Sequence, residues 1–69
     1  MSNFGKRLRA LRQERNLSQG QVAEKCEISV NYLRHIEKSR RTPSIDLLVT
    51  LCNLFDVSPV HLLQDTLDK

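Results

Sequence analysis

The sequence predicts an all-α fold, five short helices packed as one domain. Three observations carry that expectation. Apolar residues recur at spacings of three and four along the whole chain, and no stretch makes a convincing strand. Serines that can cap helix starts, at 18, 29, 44 and 58, each stand just before a periodic segment. The chain has 69 residues and no linker long enough to separate two domains, so residues 1–69 read as a single unit. The spacing places the helices over approximately 3–15, 19–26, 30–38, 44–55 and 59–66.

Each helix has its own warrant. Phe4, Leu8 and Leu11 share one face of the first, and Lys6, Arg7, Arg9, Arg12 and Arg15 occupy the others. Ser2 or Asn3 can cap its start, and Asn16 is a natural stop because asparagine tolerates the left-handed conformation. Ser18 and Gln21 fit a capping box that opens the second helix, whose apolar face is Val22, Ala23 and Cys26. Ser29 caps the third. Leu33 and Ile36 bury one side of it, which leaves Val30, Asn31, Arg34 and His35 elsewhere on its circumference.

The polar segment Ser39-Arg40-Arg41-Thr42-Pro43 reads as a loop, since Pro43 disfavours helix at Thr42. Ser44 caps the fourth helix, with Asp46 in the first turn where the dipole favours an acid. Ile45, Leu48, Cys52 and Phe55 form its main stripe, with Leu47, Leu51 and Leu54 beside it. Ser58-Pro59 starts the fifth helix, and Val60, Leu62, Leu63 and Leu67 give its apolar side.

Composition narrows the function. The net charge of +3 is unevenly spread. Residues 1–41 hold ten of the eleven Lys and Arg against four acids, an excess of +6; residues 42–69 hold Lys69 against four aspartates, −3. Such a molecule presents one side to a polyanion. The longest apolar run, Leu47-Leu48-Val49, falls far short of the roughly 20 residues of a membrane span. Residues 1–17 carry five basic residues and no apolar core of a signal peptide, so the expected location is the cytoplasm.

Cys26 and Cys52 are isolated, and are expected to be buried thiols in a reducing compartment. Together with His35 and His61 they have no zinc-ligand spacing, so no metal and no cofactor are expected. No enzyme is expected either. The histidines have no nucleophile or carboxylate arrangement, and Gly5 and Gly20 form no phosphate loop. A domain of this size buries only about 60% of its unfolded surface and has little room for a catalytic cleft.

The informative stretch runs from Gln19 to Ile36. It reads as two short helices joined by about three residues, with small Ala23 at their crossing and Ile28 plugging the turn. The segments Ser18-Gln19-Gly20-Gln21-Val22-Ala23-Glu24-Lys25 and Ile28-Ser29-Val30-Asn31-Tyr32-Leu33-Arg34-His35-Ile36-Glu37 closely resemble the lambda repressor-like (Cro/repressor, XRE-type) helix-turn-helix family. The resemblance takes in Phe4–Arg12 upstream and Arg41-Thr42-Pro43-Ser44 and Asp56-Val57-Ser58 downstream, nearly the whole chain. It implies a compact five-helix domain with the helix-turn-helix in helices two and three. One departure stands out: Glu27 occupies the turn position at which the family usually has Gly. That position commonly takes a positive φ, which costs a non-glycine residue roughly 1 kcal/mol or more.

What the resemblance implies about the site follows residue by residue. Bases in a major groove are expected to be contacted from Val30, Asn31, Arg34 and His35. The chemistry agrees: Asn31 can pair with adenine, Arg34 can grip guanine, and Val30 can touch a thymine methyl. Phosphate contacts are expected from Gln19 at the start of the second helix, Ser29, Tyr32, Arg40, Arg41 and Thr42, and Arg9, with Lys6 a further cation in reach. Arg12 and Glu37 are expected to form a structural ion pair between helices one and three. Leu47, Leu51, Leu54, Val60 and Leu63 exceed what one five-helix core needs; they either fill that core well or form a homodimer contact, which would set two reading helices about 34 Å apart. The leading expectation is a sequence-specific double-stranded DNA-binding regulator, a repressor acting as a dimer on a palindromic operator. The alternative is a protein-interaction module, an antitoxin or adaptor, with a partner protein over the apolar half and DNA binding secondary.

Overall fold

The computed structural model describes residues 4–62, and they are all-helical. The elements are α1 (Phe4–Glu14), α2 (Gln19–Cys26), α3 (Val30–Glu37) and α4 (Ile45–Phe55), with residues 59–62 forming the described part of α5. No described helix is long and apolar enough to cross a membrane. Three ends differ from the expected bounds: α1 stops at Glu14, with Arg15 already in the turn that follows. Lys38, at φ −90° and ψ 7°, has left the helix, and Ser44 stands outside α4 as its extended N-cap. The expected cap at Ser2 or Asn3, the end of α5 near 66, and Leu63 lie outside the described residues.

The core forms where the apolar faces converge. Phe4, Leu8 and Leu11 of α1 meet Val22 and Ala23 of α2, Leu33 and Ile36 of α3, Leu47, Leu51, Cys52 and Phe55 of α4, and Leu62 of α5. The rotation of α4 corrects the sequence reading. Ile45, expected in the main stripe, is 79% exposed, whereas Leu47 and Leu51, expected as part of an outward dimer contact, are buried in the domain's own core. Eight of the eleven α4 residues are apolar (Ile45, Leu47, Leu48, Val49, Leu51, Cys52, Leu54, Phe55), so periodicity alone does not fix which face turns inward. Leu54 is half-buried against the core and Val60 is 67% exposed.

All four complete helices start or stop with backbone chemistry the sequence supplies. Ser18, Ser29 and Ser44 each accept from the amide three residues on, at 3.0, 3.0 and 3.1 Å. Ser58 does the same for His61 at 3.2 Å, opening α5. At the other end each helix closes with a left-handed residue that is not glycine: Asn16, Glu27, Ser39 and Asp56, with φ between 58° and 61°. The following amide bonds back across five residues in every case, Leu17 to Arg12, Ile28 to Ala23, Arg40 to His35 and Val57 to Cys52, the Schellman pattern. In three of the four the residue after the left-handed one is apolar and packs on the core: Leu17, Ile28 and Val57. After α3 it is Arg40, and it is exposed.

Two further contacts hold the frame. Gly5 lies against the end of α3, where an added Cβ would stand 2.7 Å from the Ile36 carbonyl oxygen and overlap the Glu37 carbonyl. The bare backbone there lets α1 approach α3 closely. Arg15 ties α1 to the end of α4, donating to the Phe55 carbonyl at 2.8 Å with its guanidinium 5.3 Å from the centre of the Phe55 ring.

Candidate nucleic-acid interface

The site is built from the way α2 presents α3. The capping box predicted from sequence is complete: Gln21 N donates to Ser18 Oγ at 3.0 Å, and Ser18 N to Gln21 Oε1 at 2.8 Å. Val22 and Ala23 are buried, and the Ile28 amide donates back to the Ala23 carbonyl at 3.0 Å. Glu27 takes φ 59° and ψ 41°, so the turn keeps its left-handed residue without a glycine. Ile28 is half-buried against the core beneath it. Leu33 and Ile36 anchor α3 completely, and their burial decides what is left outside.

Val30, Asn31 and Arg34 are exposed and His35 is half-buried. Arg34 Nη1 donates to Asn31 Oδ1 at 3.2 Å, one helical turn away. An α-helix with such an exposed face has the width and the donors and acceptors to read base edges in a major groove.

The end of α3 is fixed by charge. Arg12 grips Glu37 with two bonds, Nε to Oε2 at 2.7 Å and Nη2 to Oε1 at 3.1 Å, and gives Nη1 to the Leu17 carbonyl at 2.9 Å. Both residues are buried, at 9% and 7% exposure. Paired and bidentate, the two largely buried charges satisfy each other. Gln19 Nε2 adds a third bond, to Glu37 Oε1 at 3.0 Å. The sequence reading assigned Gln19 to a phosphate and did not foresee this internal partner.

An open cleft of about 450 Å³ adjoins this network. Arg9, Arg34 and Lys38 line it together with Ser18, Gln19, Arg12 and Glu37. Lys38 was not singled out from the sequence; its position one residue past α3 is the only signal that points to it. Arg40 and Thr42 are exposed in the loop after α3, and the Arg41 guanidinium stands 5.7 Å from the centre of the half-buried Tyr32 ring. Arg41 therefore folds back over the first turns of α3. Lys6 and Arg9 are exposed on α1.

Known proteins share this arrangement. The helix-turn-helix family matches residues 8–62. The chain belongs to that family, in its lambda repressor-like branch. Over 61 residues it is 41% identical to the HTH-type transcriptional regulator ImmR of Bacillus subtilis (strain 168), covering 88% of this chain and 48% of ImmR. Over 44 residues it is 48% identical to the immunity repressor protein of Bacillus phage phi105, covering 64% of this chain and 31% of the repressor. The chain thus spans about half or less of the length of these relatives. Among solved structures, the restriction-modification controller protein C.AhdI from Aeromonas hydrophila superposes with a TM-score of 0.82 at 31% identity, over 88% of this chain and 92% of the controller. The clp gene regulator ClgR from Corynebacterium glutamicum superposes with a TM-score of 0.85 at 27% identity, over 91% and 67%.

In this helix-turn-helix, α2 and α3 are the paired helices, and the residues expected at bases lie along α3. Those expected at phosphates surround it from three elements: Gln19 on α2, Arg9 on α1, and Arg40, Arg41 and Thr42 in the loop. Ser29 and Tyr32 stand at the start of α3, where Ser29 Oγ is already used on the Tyr32 amide. Cys26 and Cys52 are free thiols, and burial pushes both above the ordinary thiol range. Among the described residues no group of three His, Cys, Asp or Glu is placed to hold a metal.

Proposed function

We propose that this helix-turn-helix domain is a sequence-specific reader of double-stranded DNA and acts as a transcriptional repressor in the cytoplasm. The observation that carries the proposal is the α3 face. Val30, Asn31 and Arg34 are exposed on a helix whose other side is locked into the core, and cations from α1, the end of α3 and the loop after it flank it. Phosphate contacts from Gln19, Arg9, Arg40 and Arg41 would set the register, and Asn31 and Arg34 would specify, each good bidentate pair discriminating by about 1–3 kcal/mol. A DNA reader represses by occupying a promoter, which needs no catalysis; the phage phi105 relative is an immunity repressor.

The functional unit proposed is a dimer on an inverted repeat. With Leu47 and Leu51 inside the core, the candidate contact moves to the apolar residues left outside on the C-terminal half, Ile45, Val49 and Val60, with Leu54 at the edge. Ile45 and Val49 are one turn apart on a single face of α4. Selection of binding sites from random duplex DNA tests the whole proposal. An enriched inverted repeat with half-sites about 34 Å apart is the expected result. Failure to enrich any sequence, with binding insensitive to salt, would favour the protein-interaction module and contradict the DNA reading.

A further inference from the structure

The Arg12–Glu37 pair is complete without Gln19, since two bonds already join guanidinium to carboxylate. Glu37 Oε1 nevertheless accepts a further bond from Gln19 Nε2 at 3.0 Å. Only the nitrogen end of a primary amide donates to a carboxylate, so this bond fixes which way round the Gln19 amide sits. One of its two N–H bonds is spent on Glu37. Gln19 also lines the cleft with Arg9, Arg34 and Lys38, and the other N–H is the one available to a ligand there. Three cations, an aimed amide donor and the start of an α-helix suit a phosphate.

We propose that Glu37 is a positioning residue for DNA binding: the buried ion pair orients the Gln19 amide so that its outer N–H meets a backbone phosphate seated in this cleft. The inference rests on the DNA reading proposed above and deepens it. Its physical benefit is preorganisation. A glutamine side chain tethered before binding has less freedom left to lose when the phosphate arrives. The carboxylate that holds α3 against the body would thereby also set a contact on α2, linking the orientation of the reading helix to the register on the backbone.

The test uses the full chain and a duplex that it enriches from a random pool, at fixed salt. Gln19→Ala is expected to weaken binding about tenfold, the size of one hydrogen bond to a charged group. The salt dependence should not change, because glutamine carries no charge, whereas Arg9→Ala should lower the salt slope by about one. Replacing Arg12 and Glu37 together by Met removes both buried charges at once, a change that folds often tolerate. That double variant loses the hold on α3 as well and is expected to bind at least as weakly as Gln19→Ala, and adding Gln19→Ala to it should cost nothing more. A further tenfold loss on adding it would overturn the inference, because the two sites would then act independently. If the double variant does not fold, the Gln19 side-chain amide protons of the unmodified chain decide by NMR. Two resolved resonances, only one of which moves as the duplex is added, support the inference; two that stay put, or move together, overturn it. A chain that binds no duplex at all removes the proposed function itself, which is a different result from duplex binding that Gln19→Ala leaves intact.

Discussion

The ends of α2 and α3 use the same backbone and opposite side chains. Both helices close on a left-handed non-glycine residue, Glu27 and Ser39, and both return an amide bond across five residues. After Glu27 comes Ile28, which packs on the core, and α3 starts two residues later. After Ser39 comes Arg40, exposed, and seven residues separate α3 from α4. The apolar residue makes the first junction part of the body, so the angle between α2 and α3 is set. The charged one leaves the second junction at the surface, where it carries Lys38, Arg40 and Arg41 beside the exposed face of α3. The end of α3 is secured instead by the Arg12–Glu37 pair and by Gly5 packed on its last carbonyls. A helix-turn-helix thus fixes its turn with packing, and can offer the far end of its reading helix to a partner because ionic and backbone contacts hold that end in place.

The largest expected effect comes from removing the ionic hold. Arg12→Ala leaves Glu37 buried and unpaired, a loss that typically costs about 3–5 kcal/mol. Thermal melting should show a drop of that order before any change in base preference; a normal melting point would mean that α3 is held some other way. Gly5→Ala attacks the same end through its backbone contact. The added methyl overlaps the Glu37 carbonyl, and overpacking of this kind costs about 1–3 kcal/mol. An unchanged melt there would show that α1 can move off α3 without loss.

The packed junction is tested by Glu27→Gly. Relief of the left-handed penalty of roughly 1 kcal/mol, less the entropy a glycine adds to the unfolded chain, should raise the melting temperature slightly. A lower melting temperature would show that Glu27 pays no strain in the turn. The smallest stability effect, and the most informative about the contrast, is expected from Arg40→Leu. It supplies the missing apolar residue after α3, so stability should hold within about 0.5 kcal/mol or rise, while the salt slope of DNA binding should fall by about one. An unaltered slope would mean that Arg40 does not meet a phosphate.

Much of this arrangement could be read from residue types. Four serines marked four helix starts, and Asn16 marked a stop through its own tolerance of the left-handed conformation. The special backbone at Glu27 and the meeting of Arg12 with Glu37 came from the family resemblance, since neither residue type signals its role alone. The rotation of α4 was not legible, because a helix apolar at 45, 47–49, 51, 52, 54 and 55 offers several candidate inward faces. Its neighbours make the choice, and they placed Leu47 and Leu51 inside and Ile45 outside. Gly5 gave no sign of its task, since a close approach depends on a helix 31 residues away in sequence. Gln19 suits a phosphate and a carboxylate equally well as a chemical type, and only the fold showed that Glu37 is within its reach.

The most direct test of the account is an NMR titration of the chain with duplex DNA, following backbone amide shifts. The predicted result is a set of perturbations concentrated at Gln19, along Val30 to Arg34 and through Arg40 to Thr42, with Asn53, exposed on α4, unmoved. Perturbations centred on α4, with α3 unaffected, would contradict the assignment of α3 as the reading helix.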